Sequence, residues 1–355
     1  MAYWAWAVPA AAAALLIAAL LLPLGALLGT ACAAVLIAAV MVAVHHAEVV
    51  AHKVGEPFGT LVLAIAVTVI ESALILSMML AGGPDTGALP RDTIFSAVMI
   101  ICNGVVGICL LLGGLRHHEQ SFRLEGANSA LATLISLSTL SLVLPSFTVS
   151  APGPTYTVAQ LAFAAVASLV LWGTFVFVQT VRHRDYFLPT GSAADEDVHA
   201  QPPSARRAWA SFGLLFVSLI AVVGLAKVLS PAIERAVAAA GAPKATIGIA
   251  IALLVLLPET WAAVRAAYAN RFQTSINLAL GSALASIGLT IPVVALAAVL
   301  LEQQLMLGLG AKELVLLILT FLVSAFTLAT GRTNMMLGVV HVVIFAAFLF
   351  LALVP

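Results

Sequence analysis

Charge is what this sequence has least of. Asp, Glu, Lys and Arg make up 8% of its residues, where a soluble globular domain carries about 25%. So few charges cannot cover a water-facing surface, which excludes an ordinary soluble protein. The charges present cancel, 15 basic against 15 acidic, so no net field draws the chain toward nucleic acid. Cysteine is scarce as well. Cys32, Cys102 and Cys109 all fall inside apolar runs, with neither disulfide nor zinc spacing, and read as small buried hydrophobes. HExxH and GxSxG are missing, and no paired-histidine motif occurs beyond "HHAEVVAH", which argues against an enzyme and gives no sign of a bound cofactor. The N-terminal apolar stretch lacks a basic leader, so it is expected to be a first membrane span and not a cleaved signal.

What the chain does have is apolar length. Hydrophobic residues make up 63% of 355 positions, in runs of about 20 that suit membrane helices and not a barrel. The lipid bilayer is therefore its expected surroundings. Eleven spans are expected, near 10–28, 31–51, 60–81, 94–115, 128–148, 158–181, 211–230, 246–267, 275–300, 313–330 and 335–354. The fold class is thus all-α and polytopic. One connection differs from the rest: "RHRDYFLPTGSAADEDVHAQPPSARR" (182–207) is polar and holds the acidic cluster "DED", as a solvated linker would. Loops on the N-terminal side hold ten Lys and Arg, from Lys53 to Arg332. The other side holds four, Arg91, Arg235, Lys244 and Lys312. This bias places the N-terminus and linker in the cytoplasm and, with an odd number of spans, the C-terminus outside.

Two apolar runs each contain a carboxylate. "VTVIESALIL" carries Glu71 and "VLLPETWAAV" carries Glu259. An ionised carboxylate at the bilayer centre costs about 2.5 kcal/mol or more on insertion scales. A proton or a cation can each neutralise it, so the two ligands compete for the same oxygens. Two such groups together match the charge of one divalent ion and titrate as a coupled pair. Glu71 falls in the third span and Glu259 in the eighth, an odd separation, so the units that contain them run in opposite directions. Inverted units with polar groups near the midplane are the layout of secondary transporters. An acid-lined cation channel is the alternative, although channels more often repeat identical subunits.

Carboxylates alone do not complete the shell of about 6–8 oxygens that Ca²⁺ takes. Nearby side-chain oxygens are those of Thr68, Ser72, Asn103, Thr260, Ser282 and Ser286. Pro258 lacks an amide hydrogen and so frees the carbonyl of Leu254 beside the second acid. Gly104 and Gly107 are expected to loosen the helix around Asn103. The plainer readings are polar helix–helix contacts for the acids and bonds to their own backbone for the hydroxyls. Close helix packing is the plainer role for Gly281 and Gly288. Separately, "HHAEVVAH" sets His45, Glu48 and His52 at i, i+3 and i+7 on one helix face at the cytoplasmic end of the second span. Histidine titrates near neutral pH, so this face is either an interfacial polar strip or a proton sensor or entry point.

The segments "GEPFGTLVLAIAVTVIESALI", "CNGVVGICLLLGGLRH" and "VLLPETWAAVRAAYANRFQTSINLALGSALASIGLTIP" resemble the bacterial calcium/proton antiporters of the ChaA type, in the calcium/cation antiporter superfamily. The likeness runs from about His45 to the C-terminus. It implies ten core helices in two inverted five-helix repeats, with an added N-terminal span. The expected organisation is 1–29 for the extra span, 30–181 for the first repeat, 182–209 for the linker and 210–355 for the second repeat. The resemblance further implies exchange of a cytoplasmic cation (Ca²⁺, Na⁺ or K⁺) for external protons across the inner membrane. It implies cation binding by Glu71 and Glu259, assisted by Asn103 and Ser282.

Overall fold

The computed structural model describes residues 3–55, 58–81, 84–188 and 203–354. Helices fill it: α1 (Trp4–Leu21), α2 (Ala26–Val54), α3 (Phe58–Ala81), α4 (Leu89–Met99), α5 (Val106–His117), α6 (Leu124–Ser138), α7 (Val158–Phe177), α8 (Ala205–Ala239), α9 (Ala245–Tyr268), α10 (Phe272–Leu300), α11 (Ala311–Leu328) and α12 (Met335–Leu353). Among the described residues eleven helical stretches are long and apolar enough to cross a membrane, α4 and α5 forming one of them. No strand forms among these residues beyond two isolated bridges. The protein is an all-α, multi-pass membrane protein.

Chain chemistry sets the helix ends. The first span was expected at 10–28, but α1 stops at Leu21 because Pro23 follows. The residue before a proline is pushed out of the helical region, and Leu22 is extended at φ −116°, ψ 150°. Helix α2 then starts after Gly25 and ends at Gly55, whose φ of +76° is left-handed and whose amide bonds the Ala51 carbonyl. Thr157 and Gln160 form a reciprocal capping box on α7. Ser204 caps α8, a helix of 35 residues. It begins inside the stretch read as linker 182–209, of which residues 189–202 lie outside the described residues.

The helices form two compact units: Met1–Leu89 with Gln201–Val255, and Pro90–Ala200 with Leu256–Pro355. Each draws helices from both halves of the chain, so this division in space differs from the repeat boundaries in sequence.

In the first unit α2 is the central element, packed by α1, α3 and α8. Its buried face reads Cys32, Leu36, Ala39, Val40, Ala43 and Ala47, a helical stripe of mostly small side chains that lets neighbours approach closely. Gly224 of α8 serves the same end, since a Cβ there would lie 2.6 Å from Leu16. A ring nitrogen of His46, Nε2, stands 2.9 Å from the Ala5 carbonyl and ties α2 to α1.

In the second unit α10 packs on α6 and α7, and α12 packs on α5. Gly288 of α10 admits Trp172, whose Cβ would be 2.6 Å from an added methyl, whereas a Cβ on Gly281 would meet nothing within 4 Å. The close-packing role expected of both glycines therefore holds for Gly288 alone. Between α4 and α5 the helix widens into a π-turn, Ile100–Val105, where the Val106 amide reaches back to the Ile101 carbonyl. This turn contains Asn103 and Gly104, where loosening was expected.

Candidate functional site

Glu71 lies mid-way along α3 and is 2% exposed. Thr68 and Ser72, three residues before and one after, are buried on the same side of the helix at 4% each. Val69 and Ile65, at 45% exposure each, mark the opposite, lipid-suited side. The hydroxyl of Ser72 has no hydrogen-bond partner among the described residues. In the first unit, then, one turn of α3 gathers a carboxylate and two hydroxyls, on a helix whose neighbouring Ile70, Leu74 and Ile75 are likewise buried.

Glu259 is half-buried on α9, flanked by exposed Leu257 and Trp261. Thr260 beside it donates to the Leu256 carbonyl at 2.7 Å, the local bond that threonine makes in membrane helices. On α10, Ser286 is buried and Ser282, one turn earlier, is half-buried.

Asn103 is fully buried in the π-turn. Its Nδ2 donates to Thr320 Oγ1 of α11 at 2.9 Å. Its Oδ1 stands 3.1 Å from His341 Nδ1 of α12, and His341 Nε2 stands 3.0 Å from Thr327 Oγ1. Thr320 donates in turn to the Leu316 carbonyl at 2.7 Å. The sequence reading missed His341, Thr320 and Thr327. The available signal was a lone histidine in "GVVHVV", within the span of highest mean hydropathy at 2.7.

At the other candidate region His45 is half-buried against the Trp4 ring, centroids 4.8 Å apart. Its Nδ1 is 4.0 Å from Glu48 Oε2. His52, one helical turn past Glu48, is exposed. The i, i+3 pair thus meets as the spacing requires. Among the described residues no group of three or more His, Cys, Asp or Glu is placed to hold a metal ion. Any cation bound beside Glu71 or Glu259 would complete its shell largely with neutral oxygens.

The chain is similar over nearly its full length to known proteins. The protein y4hA of Sinorhizobium fredii is 48% identical over 355 residues, covering 99% of this chain and 96% of that one. The sodium-potassium/proton antiporter ChaA of Escherichia coli is 36% identical over 309 residues, covering 86% and 83%. Among solved structures, native YfkE superposes with a TM-score of 0.75 at 17% identity, covering 99% of this chain and 100% of that one. The sodium/calcium exchanger protein family matches residues 12–181 and 210–354. With that much of its length matched, the chain belongs to the sodium/calcium exchanger protein family.

Proposed function

We propose that this protein is a secondary transporter that exchanges a cytoplasmic cation for external protons by alternating access, with Glu71 and Glu259 as the shared carriers of cation and proton. One observation supports this reading above the rest. A family member whose 36% identical relative is named a sodium-potassium/proton antiporter carries a buried carboxylate in an apolar span of one unit and a half-buried one in the other. A carboxylate that resists standing bare in lipid binds either ligand and releases one as it takes the other. That competition is the elementary step of exchange. The acid-lined channel gains no support from relatives named antiporters.

Two carboxylates balance one divalent charge, so Ca²⁺ is the leading cargo, as in the relative from Aphanothece halophytica named a Ca²⁺/H⁺ antiporter. Na⁺ and K⁺ are the cargo named for ChaA. Thr68, Ser72, Asn103, Ser282 and Ser286 supply further oxygens. The basic-loop bias sets the N-terminus and linker in the cytoplasm and the C-terminus outside, and the inner membrane is the site of action. The 30–181 and 210–355 segments act as inverted repeats, and the His45–Glu48–His52 face senses or admits cytoplasmic protons.

Proteoliposomes with an imposed pH gradient test the cargo. Proton movement should depend on added cation, and the cation that competes best at equal concentration is the substrate. Cation flux that persists at the same rate with the pH gradient collapsed and protons clamped would contradict antiport.

A further inference from the structure

The polar chain through Asn103 has a direction that follows from its donors and acceptors. Thr320 gives its hydroxyl hydrogen to the Leu316 carbonyl at 2.7 Å, so toward Asn103 it presents a lone pair. Only the NH₂ side of the amide can meet it, which it does at 2.9 Å. The carbonyl oxygen of Asn103 must then face His341, 3.1 Å away. An amide oxygen only accepts, so His341 Nδ1 carries the hydrogen. In the neutral ring Nε2 is consequently an acceptor, and the Thr327 hydroxyl, 3.0 Å away, donates to it. The small cavity beside the ring is further lined by Cys102, Val106, Ile276, Leu280, Ser324 and Leu328, none of which carries a charge. The neutral Nδ1–H ring satisfies every contact.

We infer that His341 is a positioning residue: as the Nδ1–H donor to Asn103 Oδ1, with Thr327 donating to its Nε2, it acts with Thr320 to orient the Asn103 amide and holds its oxygen in place for the transported cation. The inference rests on the proposed reading of Asn103 as a cation ligand. A π-turn interrupts the regular α-helical ladder, and a side-chain amide there that nothing holds can flip. Thr320 and His341, 217 and 238 residues further along the chain, remove that freedom from both ends. The chain of four side chains is polarised in one sense, each bond reinforcing the next. Asn103 Oδ1 keeps one lone pair beyond the bond from His341, which is what a ligand oxygen requires. Packing secures the donor itself: an added Cβ on Gly107 would lie 2.9 Å from His341 Cβ, so α5 and α12 approach closely at this point.

The test compares His341→Leu, His341→Asn and Thr320→Val in the full-length protein in proteoliposomes, using the cation that the competition assay identifies. Asparagine restores a donor where Nδ1 stood but does not titrate, and leucine fills the space without a donor. His341→Leu and Thr320→Val should weaken apparent cation affinity roughly three- to tenfold, the range of membrane hydrogen bonds. Turnover at saturating cation should change less, and His341→Asn should recover most of the affinity. In wild-type protein, ¹⁵N labelling of histidine should show Nε2 of His341 unprotonated. Failure of His341→Asn alongside leucine, unchanged affinity in both His341→Leu and Thr320→Val, or an unprotonated Nδ1 would each overturn the inference. Asn103→Ala separates the two levels. If it leaves affinity unchanged, the ligand reading falls and the inference with it. If it weakens affinity while His341→Leu does not, the positioning role alone is wrong.

Discussion

At the scale of single residues, the two glutamates were legible because charge in an apolar run is conspicuous: its cost in lipid demands a purpose. The hydroxyls were less so. Thr260 spends its hydrogen on the Leu256 carbonyl, whereas Ser72 Oγ is buried without a partner among the described residues, and the two look alike in sequence. Ser72→Ala should therefore alter apparent cation affinity, by a few-fold at most, while Thr260→Val should leave it close to wild type. Transport titrations over cation concentration check both, and equal effects would remove the distinction. Asn103 was found as a polar residue in a span, but its partners lie more than 200 residues away. Nothing local announces them, because a lone apolar-flanked histidine reads equally well as a packed core residue. Because cation and proton contend for the same carboxylates, apparent cation affinity should also rise with pH up to full ionisation. A pH-independent affinity would count against a shared site.

At the scale of elements, the number of spans followed from run length and hydropathy, and the errors came where the chain breaks or overruns. Pro23 shortened α1 because of the residue before it, Leu22. Ser204 started α8 earlier than hydropathy implied, through a cap that is polar and local. Glycines were visible in sequence but their tasks were not. Gly338 lies against the Leu111 amide, with a Cβ only 2.5 Å away, and Gly288 lies against Trp172. Gly281 faces open space. Gly338→Ala should accordingly destabilise the α5–α12 contact by about 1–3 kcal/mol, the usual penalty for overpacking. Gly281→Ala should be neutral or slightly stabilising, since alanine favours the helix. Thermal unfolding in detergent reads both, and a reversed order would contradict this packing of the second unit.

At the scale of the whole molecule, counting spans between the glutamates leads to the proposal of opposed repeats, while the two compact units group helices from both halves. That spatial grouping is invisible in sequence, since contact between distant helices leaves no periodic trace. The His45–Glu48–His52 face of α2 provides a separate test. If His45 and His52 sense protons, replacing both with alanine should shift the cytoplasmic pH at which exchange switches, with maximal turnover changed less. Superimposable pH–activity curves would leave them as interface residues. The most direct measurement for the account as a whole is cation-driven proton movement in proteoliposomes containing wild type, Glu71→Gln or Glu259→Gln, each verified as folded and inserted. Glutamine keeps the shape but neither ionises nor binds and releases a proton, so each single variant should abolish exchange in both directions. Near-normal coupled transport by either one would contradict the claim that the two carboxylates jointly carry the ions.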